Sequence, residues 1–348
     1  MMAKKPQGRT PGDLRDLDSY LASSFGQAFV VDQPEVSFLP TGLASVDRAL
    51  GGGIARGRLV ELYGDPSSGK TSLSLHIARR AVAEKLYVLY FDLESCLTLE
   101  YLKAFDLDFH YFKLLQPIQA PISAEDLFTR VREMASLWGE ELGLVVVDSV
   151  PFLIPESEAE AHAEGRAPTY SPLASFLSRE LKYVVPALAR SNTILLFINQ
   201  ETEVLGARFP LRNTPGGRRL KYACSQRIHI SRVSRPEYDT STRMTVEIRV
   251  EKNKVGDPFR RAQFDIVFGR GPDEASSLLQ EALSLGLLQQ RGAWITFEES
   301  LLPELQQLGW TKPQLAQGAE RASQELSQNS QLFQWLYRKV VGQSALSS

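Results

Sequence analysis

Residues 64–71 read Gly-Asp-Pro-Ser-Ser-Gly-Lys-Thr, and their flanks restrict the fold more than anything else in the chain. An apolar, strand-like run, Arg58-Leu-Val-Glu-Leu-Tyr63, leads in, and Ser72-Leu-Ser-Leu-His-Ile-Ala-Arg-Arg-Ala81 follows with helical periodicity. This is the G-x-x-x-x-G-K-[ST] pattern in the strand–loop–helix setting that its chemistry requires. Gly64, Asp65, Pro66, Ser67, Ser68 and Gly69 form a loop whose backbone N–H groups can curl around a polyphosphate, and the helix N-terminus adds a favourable dipole. Lys70 is placed to reach the β- and γ-phosphates and Thr71 to ligate Mg²⁺. The pattern predicts a nucleoside triphosphate site, with ATP and Mg²⁺ as its occupants.

Alternation along the chain sets the fold class. Strand-like runs at 58–63, 86–92, 113–116, 143–148 and 193–199 alternate with helical patterns near 70–84, 123–138 and 173–190. Such alternation gives an α/β fold with a mostly parallel sheet covered on both faces. Ser225–Val233 and Arg243–Val250 flank a polar turn and predict an antiparallel hairpin extending that sheet, with Ala262–Phe268 as one more strand. After Gly269-Arg-Gly-Pro the pattern changes to short helices and a small hairpin around Gly292-Ala-Trp294. Three parts are therefore expected: 1–38, a polar tail, a short amphipathic helix and a strand that pack on the main domain or dock on a neighbouring subunit; 39–270, the ATPase core; and 271–348, a small α/β module with a frayed end. The helix over 13–28 carries Leu14, Leu17, Leu21 and Phe25 on one face and cannot form a core alone.

Composition removes several classes. A formal net charge of −2 over 348 residues rules out global polybasic character, so any nucleic-acid contact must come from local clusters. The two cysteines, Cys96 and Cys224, lack metal-ligand spacing and read as reduced thiols. No apolar run reaches membrane-spanning length and the first residues lack a signal-peptide core, so the sequence predicts a cytoplasmic protein without membrane contact.

Leu142-Gly-Leu-Val-Val-Val-Asp148 is an apolar strand ending in a carboxylate, suited to hold Mg²⁺ beside the phosphates. Phe91-Asp92-Leu93-Glu94 ends another strand, and ligands of such sheets sit at the carboxyl ends of strands. Glu94 is thus the candidate to polarise an attacking water, with a solvated strand-end acid as the plain alternative.

Several segments in one order resemble the bacterial RecA recombinase family. Leu39-Pro-Thr-Gly-Leu-Ala-Ser-Val-Asp-Arg-Ala-Leu resembles its approach to the P-loop, and Gly64–Thr71 the P-loop itself. Ser191-Asn-Thr-Ile-Leu-Leu-Phe-Ile-Asn-Gln200 resembles the strand ending in its γ-phosphate sensor. Glu251-Lys-Asn-Lys-Val-Gly-Asp-Pro-Phe259 resembles the segment whose two lysines reach ATP across a subunit interface. The resemblance implies that Glu94 is the catalytic carboxylate, that Tyr101 stacks on adenine, that Gln200 senses the γ-phosphate, and that Lys252 and Lys254 enter a neighbour's site. A site shared in this way is heterologous and generates a helical filament.

Two long polar segments, Pro155–Pro172 and Glu201–Gly217, match the loops with which the family holds single-stranded DNA. The resemblance assigns DNA contact to Tyr170, Ser178, Lys182, Arg208, Phe209, Arg212, Gly216, Gly217, Arg218 and Arg219. Arginines with an apolar wedge at Phe209 suit sequence-independent binding. The implied function is an ATP-dependent filament on single-stranded DNA that pairs homologous duplex DNA, in DNA repair and the SOS response, with other recombination proteins as further partners. This chain also departs from the family pattern. Its first loop is longer, Ser175 and Lys182 replace usual arginines, Ser95-Cys96-Leu97-Thr98 replaces a familiar His-Ala-Leu-Asp, and no acidic tail is present. Two other readings therefore stand beside the first: a divergent paralogue regulating a principal recombinase, and a ring-forming ATPase of the same superfamily.

Overall fold

The computed structural model describes residues 36–118, 120–167, 171–203, 212–233 and 242–342. The expected N-terminal helix and strand, and the assignments to Tyr170, Arg208 and Phe209, lie outside these residues.

A two-residue strand, β1 (Phe38–Leu39), pairs antiparallel with β2 (Ile54–Ala55). Between them the helix Ala44–Leu50 ends at Gly51, whose φ of 82° is left-handed and suits glycine. Five parallel strands then build the centre of the main sheet: β3 (Leu59–Gly64), β4 (Tyr87–Asp92), β5 (Phe112–Leu115), β6 (Leu142–Asp148) and β7 (Ile194–Gln200). All seven residues of β6 are buried, as expected of a central parallel strand covered on both faces. The short pair β8 (Thr202–Glu203) and β9 (Arg212–Asn213) closes the stem of the second long loop. The sheet continues with β10 (Gln226–Val233), parallel to β3, then antiparallel β11 (Arg243–Asn253), β12 (Arg261–Val267) and β13 (Gly271–Pro272). The resulting nine-stranded order is β13-β12-β11-β10-β3-β7-β6-β4-β5. Gly271–Pro272, expected as the start of the C-terminal module, is instead the last edge strand of the main sheet, a position where proline's missing donor costs nothing.

Two apolar layers sandwich the sheet. On one face, helix Lys70–Ala83 and helix Ala44–Leu50 pack with Leu62, Val88, Tyr90, Leu144, Ile198 and Ile230. On the other, helices Ala124–Trp138 and Pro172–Ser191 bury Phe128 and Phe176 against Val147 and Phe197. Each large side chain wholly buried there contributes roughly 1.5–3 kcal/mol. Ser123 caps the first of these two helices by accepting from Asp126 N at 3.0 Å, with Glu125 and Asp126 favourable to its dipole.

The first long segment, expected as a DNA-holding loop, is partly helical. Glu156–Ala163 is helical, with Pro155 at its N-cap and Glu156 and Glu158 in the first turn. Acidic residues there complement the dipole and alanines supply propensity. The chain also forms β14 (Leu288–Arg291), β15 (Trp294–Phe297) and β16 (Gln314–Gln317), so the expected hairpin at Gly292 gains a third strand. With helices Glu274–Ser284, Ala319–Gln328 and Ser330–Gly342 they enclose a third apolar cluster around Leu278, Phe297 and Leu336. Helix Ala44–Leu50 brackets this cluster to the main sheet. Ser45 Oγ lies 3.0 Å from Ser277 Oγ, Arg48 pairs with Glu281 at 2.6 Å, and Asp47 accepts from Tyr337 Oη at 2.5 Å.

Candidate nucleotide site

The P-loop follows β3 because its glycines meet two separate demands. A Cβ on Gly64 would stand 2.0 Å from the carbonyl oxygen of Ile230, so β10 can approach only a glycine. Gly69 has φ +98°, and a Cβ there would meet Ile266 Cδ1 at 2.6 Å. Lys70 is buried, and its Nζ donates to the carbonyls of Gly64 at 3.0 Å and Asp65 at 2.6 Å. Burial lowers its pKa, opposed by Asp148, Glu94 and Asp65. Ser68 Oγ is buried without a hydrogen-bond partner among the described residues, as a side chain lining a polar cradle can be.

Strand register brings the carboxylates to this loop. Asp92 is paired with Asp148, and Gly64 with Gln200, so the expected site residues share the carboxyl edge of the sheet. Asp148 Oδ2 accepts from Thr71 Oγ1 at 3.0 Å and from Tyr90 Oη at 2.8 Å. Burial pushes the Asp148 carboxyl up to about 6, against those hydrogen bonds, with Glu94 and Asp92 adding to the rise. Among the described residues no cluster of three His, Cys, Asp or Glu side chains forms a metal cage. Two hard oxygen donors at Thr71 and Asp148 fit Mg²⁺, whose other positions are commonly filled by phosphate and water.

Glu94 stands at the centre of a second contact set. Its Oε1 accepts from Ser149 Oγ at 2.5 Å and from Gln200 Nε2 at 3.3 Å. Asp92 instead holds the turn after β4, accepting from Leu97 N and Gln116 Nε2, each at 2.8 Å. Tyr101 is 38 % exposed beside the start of the P-loop helix, with its Oη 2.8 Å from Ser72 Oγ and its ring edge-on to Phe105. The exposed part of the ring leaves a face on which a planar base can stack.

Asn199, Tyr90 and Ser149 were not singled out from the sequence. Asn199 donates to Glu61 Oε1 at 2.8 Å and to the carbonyl of Pro215 at 3.0 Å, while its Oδ1 accepts from Gln200 N at 3.0 Å. It thereby ties the strand ending in Gln200 to the far side of the second loop. A polar residue closing an otherwise apolar strand was the available signal for Asn199, and adjacency to Asp148 for Ser149. Nothing in the sequence marks Tyr90.

Lys252 and Lys254 do not join the site of their own chain. Lys252 pairs with Arg227, which pairs with Glu61, three rows before Gly64 and two strands across. At ~3.3 Å per row and ~4.8 Å per strand, Lys252 lies roughly 14 Å from the loop. Lys252 Nζ donates to the carbonyls of Lys221 at 2.7 Å and Tyr222 at 2.9 Å, and Lys254 Nζ to Tyr222 at 3.1 Å. Both lysines therefore cap the C-terminal end of helix Gly217–Ala223.

The residues expected on DNA divide. Arg218 and Arg219 are exposed on that same helix, and Lys182 is exposed on helix Pro172–Ser191. Ser178, one turn before Lys182, donates to the carbonyl of Ala174 at 2.8 Å. Gly216 and Gly217 have a packing reason of their own: φ of +94° and +73°, with Cβ positions 2.7 Å from Leu220 Cδ2 and 3.0 Å from Ala174 Cβ. Arg212 is held by carboxylates, with Nη1 at 2.9 Å and 3.0 Å from the Asp65 oxygens and 3.4 Å from Glu201 Oε2.

A P-loop at the carboxyl edge of a parallel sheet, facing an Asp and a Gln that end two strands and a Glu from the turn after a third, defines an NTP-hydrolysing protein of the RecA-like class. A family model described as the RecA N-terminal domain matches residues 21–273. Protein RecA of Streptomyces coelicolor is 34 % identical over 335 residues, covering 93 % of this chain and 84 % of that one. Protein RecA of Aquifex pyrophilus is 32 % identical over 336 residues, covering 94 % and 90 %. Among solved structures, a RadB recombinase shares the fold with a TM-score of 0.51 at 23 % identity, covering 68 % of this chain and 98 % of its own. The chain belongs to the RecA family. Membership makes it a recombinase, an ATP- and DNA-binding, DNA-dependent ATPase of homologous recombination and repair. Among the described residues no helix is long and apolar enough to cross a membrane.

Proposed function

We propose that the protein assembles head to tail on single-stranded DNA, with ATP enclosed between adjacent protomers, and pairs that strand with a homologous duplex. Residues 39–270, together with the edge strand Gly271–Pro272, would form the ATPase core, the residues that follow a small appended domain, and 1–38 the segment that docks on the next protomer.

In this reading the backbone of Gly64–Gly69 and Lys70 hold the triphosphate, Tyr101 stacks on adenine, and Thr71 and Asp148 hold Mg²⁺. The metal ion would neutralise charge on the β- and γ-oxygens. Glu94, oriented by Ser149 and Gln200, accepts the proton of the attacking water. Gln200 reports γ-phosphate occupancy to the second loop through Asn199 and Pro215. Lys252 and Lys254 of one protomer complete the neighbour's site, since their place on the sheet supports no contact with their own P-loop. Lys182, Arg218 and Arg219 face the DNA backbone.

The observation that carries this reading is Glu94 bonded to Gln200 beside Lys70 and Asp148. The test is ATP turnover with and without single-stranded DNA, coupled to negative-stain imaging. Stimulated turnover with helical filaments is the expected result. Normal filaments without DNA-stimulated turnover would indicate a regulatory paralogue, and rings would indicate a different assembly.

A further inference from the structure

Arg212 and Asp65 are 147 residues apart, yet they join the stem of the second loop to the P-loop. Asp65 is the second P-loop residue, its carbonyl already accepts from Lys70, and its carboxylate is half-exposed beside the phosphate cradle. Glu201 places a second carboxylate close by, with Glu201 N at 3.4 Å from the carbonyl of Gly64. A polyphosphate entering the loop therefore approaches two fixed negative charges, which like-charge repulsion penalises. The guanidinium of Arg212 lies between those carboxylates. It is held there by the β8–β9 ladder, in which Glu203 pairs with Arg212.

We propose that Arg212 is a positioning residue for the nucleotide, offsetting the P-loop's own carboxylate and so raising affinity for ATP. The inference rests on the P-loop reading above. A guanidinium shared by two carboxylates is not offered to DNA, so Arg212 leaves the DNA-contact set.

The test is a binding series with a fluorescent non-hydrolysable ATP analogue and Mg²⁺, without DNA, on the full-length protein. Arg212→Ala should weaken binding by about three- to tenfold at low salt, less at high salt because exposed charges are screened. Arg212→Lys should keep most of the affinity. Asp65→Asn should bind more tightly than the parent, and Asp65→Asn with Arg212→Ala should return close to it. With saturating analogue, Arg212→Ala should leave the salt slope of oligothymidine binding as in the parent. Unchanged nucleotide affinity in Arg212→Ala, or a double variant as weak as Arg212→Ala alone, overturns the inference while leaving the P-loop reading intact. A flattened oligothymidine slope also overturns it. Failure of the parent to bind the analogue overturns the P-loop reading, and this inference with it.

Discussion

Gln200 Nε2 and Ser149 Oγ donate to one oxygen of Glu94, at 3.3 Å and 2.5 Å. The carboxylate that would activate water is thus fixed by a strand end on the path to the second loop. Glu94→Gln should reduce ATP turnover by about 10²–10⁴-fold, the usual worth of a positioned general base, while nucleotide affinity stays within a few-fold. Gln200→Ala should retain nucleotide binding and lose most of the stimulation by DNA. Steady-state turnover and analogue binding, measured on both variants, check the pair.

Asp148 gives a pH prediction. Its folded pKa of about 6 lies above the ordinary carboxylate value of 3.8, so the folded chain binds the extra proton more tightly. Stability from this group is present below about pH 4 and lost as pH rises through about 6, worth ~3 kcal/mol as an upper figure. Asp148→Asn removes that loss. Its thermal midpoint should exceed the parent's by an amount that grows from pH 4 to pH 6 and is constant above, while Mg²⁺-dependent nucleotide binding disappears. A midpoint difference independent of pH contradicts the cause assigned to the shift.

Tyr337 tests the bracket between the sheet and the C-terminal helix. Asp47 is fully buried, with Thr41 N, Gly42 N and Tyr337 Oη as its donors. Tyr337→Phe removes one donor from a buried acceptor and should destabilise by about 1–2 kcal/mol. Urea unfolding of the two proteins reads the difference.

Arg218 and Arg219 sit exposed on helix Gly217–Ala223, whose far end Lys252 and Lys254 cap. Changing both to Ala should weaken oligothymidine binding irrespective of sequence and flatten the salt slope by roughly 0.7 per lost phosphate contact. A slope equal to the parent's removes them from the DNA.

The central strands were legible because each is an apolar run bounded by polar residues. The expected strand at 143–148 is Leu142–Asp148, and the expected helix at 123–138 is Ala124–Trp138. The helix at Glu156–Ala163 was missed because a polar, proline-bounded segment reads as a loop when its only apolar residues are alanines. Helix Gly217–Ala223 was missed because Gly216 and Gly217 read as part of a DNA-contacting loop, whereas both are fixed by packing on Ala174 and Leu177. Asp148 and Gln200 were visible at the ends of strands, and Lys70 at the start of the helix after the glycine loop. The ion pair that holds Arg212 to Asp65 was not, because charge in a polar loop does not reveal its partner before the sheet is assembled.

Adjacent protomers are proposed to complete one nucleotide site together, and subunit mixing tests this most directly. Lys70→Ala keeps the capping lysines but lacks its own site. The double variant Lys252→Ala/Lys254→Ala keeps the site but has none to lend. Each alone should hydrolyse little ATP on single-stranded DNA, and an equimolar mixture should recover a substantial fraction of parental turnover. A mixture no more active than its components would contradict the shared site.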